Sequence, residues 1–196
     1  MTKNLKLGIM MFLQYAVWGA WMPVTSRFLT ASVMDGGLGF TDSQMAIILG
    51  FAASIGALSA PFIAGQVADR YFSTEKILAF LVISGGLVKW YTALQTDFNA
   101  WLYLSILYSI LYMPTLALSN SIAFAHLEDS ENNFPKIRAW GTIGWIVATW
   151  TFPMIWLQTD LGFSFMPPFL IGSEVEGVVS RLCLLYTSPS PRDSSE

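Results

Sequence analysis

Charge is scarce in this chain: Asp, Glu, Lys and Arg make up 12% of its 196 residues, about half the share usual in a soluble domain. The single cysteine, Cys183, can close no internal disulfide and supports no metal set. The single histidine, His126, leaves no His pair or clustered Ser–His arrangement of the kind a membrane enzyme needs, so no enzyme is expected. A net charge of −3 provides no concentrated basic face, which argues against nucleic acid as a partner. The first apolar run follows Lys3 and Lys6 but is too long for a signal peptide and lacks a small-residue cleavage pattern.

What is abundant is hydrophobic length. Apolar residues make up 54% of the chain and come in long runs. A helix needs about 20 mostly apolar residues to cross the hydrocarbon core. Leu7 to Ser26, Ser43 to Ala68, Phe98 to Ala125 and Ala139 to Thr159 meet this length without a charge, and Ile77 to Thr96 meets it with one, Lys89. Backbone polar groups in lipid must pair within their own segment, so these runs are read as helices at about 6–27, 43–67, 77–96, 99–125 and 138–158. The fold class is therefore an all-α membrane protein embedded in a lipid bilayer, with five complete transmembrane helices and the start of a sixth.

Basic residues set the expected orientation. Lys3, Lys6, Arg70, Lys76, Lys136 and Arg138 occupy the N-terminus and the second and fourth loops. The alternate loops carry Arg27 beside Asp35, Asp42, Asp97 and Asp160. The positive-inside bias places the N-terminus in the cytoplasm. Residues 1–172 are read as a transmembrane bundle, with 161–172 as an apolar, turn-rich outer loop and 173–182 as the start of a sixth helix. The string from Cys183 through Pro189, Pro191 and Arg192 resembles one translation frame of a transposon-end adapter used in sequencing libraries. Residues 183–196 are therefore read as a foreign tail outside the fold.

Polar and aromatic residues recur on single helical faces. Arg138, Thr142, Trp145 and Thr149 are spaced by four, three and four; Gln14, Trp18, Trp21 and Thr25 form a similar stripe. Tyr108, Tyr112, Thr115 and Ser119 form a third, with Asn120 nearby. Polar groups shown to lipid are costly, so three such stripes point to one wet cavity. Its aromatic faces suit a flat ring, and its amides and hydroxyls suit a ligand rich in hydroxyls, such as a nucleoside or a sugar. On spacing alone, Arg138 either lines that cavity or snorkels to the headgroups. Asp69 and Arg70 form either a gating ion pair or ordinary loop charge. Lys89 either faces the cavity, pairs with an acid outside this segment, or snorkels. His126 reads as a loop residue. With no Asp or Glu inside the five runs, a principal proton carrier is expected elsewhere.

Phe134-Pro-Lys-Ile-Arg-Ala-Trp-Gly-Thr-Ile-Gly-Trp145 closely resembles the fifth-helix signature of the nucleoside:proton symporter family. Leu13-Gln-Tyr-Ala-Val-Trp-Gly-Ala-Trp-Met-Pro23 resembles its first helix, and Tyr112-Met-Pro-Thr-Leu-Ala-Leu-Ser-Asn120 its fourth. Gly65 to Lys76 is similar to the second-loop motif of the major facilitator superfamily, and the resemblance covers residues 5 to about 160 in collinear order. It implies the N-terminal part of a 12-helix major facilitator fold with alternating access around a midplane site. It further implies nucleoside as substrate, the proton as coupling ion without other cofactor, and a bacterial inner membrane location. Arg138, Thr142 and Trp145 would contact the nucleoside, with Gln14, Trp18, Tyr112, Thr115 and Asn120 as weaker candidates. Asp69 would act in the cytoplasmic gate beside Arg70. The remaining contacts would come from a C-terminal half of the same transporter. A sugar or oligosaccharide symporter of the same superfamily is the alternative; an inactive fragment and a polytopic membrane enzyme are readings of a different class.

Overall fold

The computed structural model describes residues 3–34, 36–67, 73–127, 129–155, 162–163 and 170–171. Helix α1 is Lys3–Thr30. Helix α2 is a continuous run of four segments, Asp42–Ala46, Ile47–Phe51, Ala52–Phe62 and Ile63–Val67, the second and fourth of which are wide π-type turns. Helices α3 (Thr74–Ala93), α4 (Phe98–His126) and α5 (Ser130–Ile155) follow. Gly162–Phe163 (β1) pairs antiparallel with Leu170–Ile171 (β2) within the stretch read as an outer loop. The proposed start of a sixth helix, the tail, and the pair Asp69 and Arg70 lie outside the described residues.

Local chemistry sets the helix ends. The Thr41 hydroxyl accepts from the Gln44 N–H while the Gln44 side chain accepts from the Thr41 N–H, a reciprocal cap that starts α2. The Asp97 carboxylate accepts from the Ala100 N–H at 3.0 Å and starts α4. Helix α5 begins at Ser130, earlier than the expected 138, because Asp129 caps it: its carboxylate accepts from the Asn132 N–H at 3.4 Å and from the Asn132 side chain at 2.8 Å. Pro61 has no N–H to donate to the Ala57 carbonyl, and the second wide turn follows directly at Ile63.

Among the described residues, four helical stretches are long and apolar enough to cross a membrane: Lys3–Thr30, Asp42–Gly65, Thr74–Ala93 and Phe98–His126. Helix α5 falls short of that composition, because its middle uses Gly141, Thr142, Gly144, Trp145 and Thr149 where the others use aliphatic residues. Hydroxyls share the interior with apolar side chains, and many large apolar side chains face outward. Thr25, Thr92, Thr115 and Ser119 are at most 1% exposed, whereas Leu58, Phe62, Phe80 and Tyr103 are at least 67% exposed. Hydroxyls inside the bundle bond to their own helix, as Thr92 does to the Val88 carbonyl at 2.8 Å. Large apolar side chains on the outside fit a hydrocarbon solvent.

Helix α4 is central, with α2 and α3 packed against it, while α1 packs mainly against α5. Small residues allow these approaches. A Cβ at Gly56 would stand 2.6 Å from the Ser109 carbonyl oxygen, and one at Gly19 would stand 2.8 Å from that of Trp145. Helix association in lipid depends on such close packing, since burial against a neighbour gains little over burial in acyl chains. Leu7, Met11, Tyr15, Ile122, Ala123 and Ile137 join α1, α4 and α5 at one end of the bundle; Phe28, Leu29, Phe40, Ile48 and Trp101 close the other.

Candidate functional site

The α1 and α4 stripes meet at mid-helix. The Gln14 amide donates to the Thr115 hydroxyl at 2.6 Å, and that hydroxyl donates to the Tyr112 carbonyl at 2.5 Å. The Tyr112 hydroxyl in turn donates to the Gln14 carbonyl at 2.8 Å. The Gln14–Thr115 and Tyr112–Gln14 bonds tie α1 to α4. Replacing Tyr112 by phenylalanine removes one of them, and about 1 kcal/mol of stability is the expected loss. Thermal unfolding in detergent, compared with wild type, measures it; an unchanged midpoint would show that the bond contributes nothing.

An aromatic column continues from this lock. Trp18 lies edge-on to Trp145 with ring centroids 5.0 Å apart, which brings the α5 stripe to the same place, and lies 6.2 Å from Tyr112. Tyr112 stacks on Tyr108 at 5.3 Å, and Tyr108 meets Trp21 edge-on at 5.6 Å. The Thr149 hydroxyl donates to the Gly19 carbonyl at 3.3 Å, one turn beyond Trp145. Three of the expected site residues, Trp18, Tyr112 and Trp145, are thus in one aromatic assembly, with Gln14 and Thr115 hydrogen-bonded beside it.

Arg138 packs against α1. Its guanidinium carbon sits 4.1 Å from the centroid of the Tyr15 ring, a cation–π contact to α1. Side chains on a helix lean toward its N-terminus, yet Arg138 Nη1 lies 2.9 Å from where a Cβ on Gly141 would stand, one turn C-terminal. The guanidinium is therefore turned up the helix toward the column, in space that only a glycine at 141 leaves open. Thr142 is exposed and makes no side-chain hydrogen bond to Arg138 or Trp145 among the described residues, although the spacing puts all three on one stripe. Asn120 has a buried Oδ1 with no hydrogen-bond partner among the described residues, an acceptor that is costly unless a ligand or another part of the protein meets it. His126 is exposed at the end of α4, with Nδ1 2.9 Å from the Ile122 carbonyl, as a loop-end residue would be.

Sequence reasoning missed Tyr15 and Gly141, because neither falls on a polar stripe. Gly141 stands between Arg138 and Thr142 in the sequence, and that is the one signal that could have marked a space reserved for the arginine. Lys89, left open by the sequence, lines a cavity of about 60 Å³ beyond the column, shared with Trp18, Trp21, Tyr108 and Tyr112. Among the described residues no group of three or more His, Cys, Asp or Glu is placed to hold a metal.

The described residues form a helical bundle, with four stretches long and apolar enough to cross a membrane, around a polar-aromatic interior. The chain belongs to the nucleoside H+ symporter family, whose model matches residues 1–195. It is 40% identical over 148 residues to the putative nucleoside transporter YegT of Escherichia coli, covering 76% of this chain and 33% of YegT. It is 33% identical over 164 residues to the xanthosine permease of the same organism, covering 81% of this chain and 37% of the permease. The crystal structure of the nucleoside transporter NupG superimposes with a TM-score of 0.69 at 31% identity, covering 77% of this chain and 37% of NupG. The chain thus spans about a third of the length of the curated relatives it matches.

Proposed function

We propose that this chain is the N-terminal part of a proton-coupled nucleoside transporter of the bacterial inner membrane, with a cytoplasmic N-terminus and a twelve-helix major facilitator architecture. The observation that carries the reading is the inward Arg138, set over Tyr15 at one end of an aromatic column built from three helices. A guanidinium fork binds hydroxyl and carbonyl oxygens through several N–H groups at once, and stacked rings accept a planar base. Thr142, exposed beside it, and the Asn120 acceptor supply further polar contacts once the C-terminal half closes the cavity. Family membership and the names of the relatives support the same substrate class. Asp69 and Arg70 act in the cytoplasmic gate, holding one end shut in one of the two alternating states. The proton passes through a carboxylate of the C-terminal half, since the apolar runs here contain none. Residues 183–196 are a foreign tail; the family match runs through 195 and marks no boundary at Cys183.

Uptake of labelled uridine by cells expressing the full-length transporter, with and without an imposed proton gradient, tests this reading. Gradient-dependent uptake blocked by unlabelled nucleosides is expected. Uptake blocked by sugars and untouched by nucleosides would give the sugar symporter instead. The same assay on the 196-residue chain alone is expected to show no transport, because five helices leave the cavity open along one side.

A further inference from the structure

The cavity beyond the column has an unusual polar lining. Lys89 Nζ stands 3.7 Å from the centroid of the Trp21 ring, 5.2 Å from that of Tyr108 and 5.6 Å from that of Trp101. The three ring faces stabilise the ammonium charge electrostatically within the bundle. Trp21 contributes a second feature: its indole N–H is buried and has no hydrogen-bond partner among the described residues. Both groups line the same space. An ammonium and an indole N–H share one property: each donates hydrogen bonds and neither can accept one. At about 60 Å³ the space takes the edge of a ring and not a whole nucleoside.

Its position relative to Arg138 is equally informative. Trp18 and Tyr112 belong both to this cavity and to the central assembly, so the two are continuous. Arg138 and Trp145 are separated by two helical turns, about 10 Å along α5 at 1.5 Å per residue. The inward lean of Arg138 shortens that span, and the Trp21 level adds about one turn beyond Trp18. The column thus has a cation toward each end.

We propose that Lys89 and Trp21 form the base-reading end of the site and select nucleosides whose base presents carbonyl oxygens rather than amino groups. The ribose hydroxyls then lie toward Arg138, and the Tyr112 and Trp18 rings, tilted by 58° to each other, flank the base between the two ends. An amino group facing Lys89 would set donor against donor. An oxygen there accepts from the ammonium and the indole together, and a base carrying negative charge binds best of all.

The proposal rests on the nucleoside-transport reading, and one set of uptake measurements separates the two. In the full-length transporter, kcat/KM is compared for uridine against cytidine and for inosine against adenosine, pairs that exchange an oxo for an amino group. Wild type is expected to favour the oxo member of each pair. Lys89→Met is expected to cut that preference about tenfold, the scale of one hydrogen bond to a charged group, and Lys89→Arg to retain it. Equal handling of both members by wild type overturns the proposal, as does a Lys89→Met variant that lowers both members alike. If Lys89→Met fails to reach the membrane, the wild-type preference alone decides. No uptake of any nucleoside by wild type would instead defeat the functional reading.

Discussion

Replacing Arg138 by alanine in the full-length transporter is expected to lower nucleoside uptake by roughly a hundredfold or more, while the protein still reaches the membrane. Truncating one partner of a buried, charge-assisted hydrogen-bond set costs about 2–5 kcal/mol, and each 1.4 kcal/mol is a factor of ten. Arg138 is placed to contribute this much because it is already committed to the interior: its guanidinium lies over the Tyr15 ring, in space left by Gly141, before any ligand arrives. That pre-organisation lowers the ordering cost of binding. Arg138→Lys is expected not to restore uptake, since an ammonium neither stacks flat on Tyr15 nor presents a fork of donors. Labelled-nucleoside uptake, normalised to the amount of protein in the membrane fraction, is the measurement. Ordinary uptake by Arg138→Ala would remove Arg138 from the site and return it to the role of a helix-end charge.

The second large effect is structural and concerns the contact of α1 with α5. A Cβ at Gly144 would run into the backbone carbonyl of Phe12, and one at Gly141 would stand 2.7 Å from the Tyr15 ring. Neighbouring backbone cannot yield as a flexible side chain can. Gly144→Leu is expected to destabilise the bundle by more than the 1–3 kcal/mol typical of overpacking at a yielding site, and to separate Trp18 from Trp145. Gly86 provides the control, because a Cβ there meets nothing within 4 Å. The helix propensity gained on replacing glycine makes Gly86→Leu neutral or slightly stabilising, by about 0.5–1 kcal/mol. Thermal stability in detergent and uptake in cells should both fall for Gly144→Leu and hold for Gly86→Leu. Equal behaviour of the two variants would mean that the helices do not meet where the structure puts them.

These two effects draw on different kinds of information. The signature from Phe134 to Trp145 contains Arg138, Gly141 and Gly144 together, so the importance of that stretch is legible from its likeness to a family. The reason for it is not. Periodicity places Arg138, Thr142 and Trp145 on one face, but it says nothing of which helix that face meets. The structure gives Trp145 to Trp18 and Arg138 to Tyr15, and leaves Thr142 exposed. The early start of α5 was missed for a related reason. Hydrophobic length marks where a span begins in lipid, whereas the helix itself begins at the Asp129 cap in the polar segment before it.

Lys89 shows where linear reasoning stops. Nothing in the sequence links it to Trp21 or Trp101, and a long flexible side chain within an apolar run has rotamers leading to lipid, to headgroups or inward. Composition and run length determined that the chain is built of long apolar helices suited to a membrane, because hydrocarbon permits no other use of such runs. Only the tertiary packing decided which stripes face each other, that Arg138 turns inward over Gly141, and that Lys89 rests among three rings. Helices in lipid choose partners through the fit of small residues against backbone, and that fit exists only once the helices are side by side.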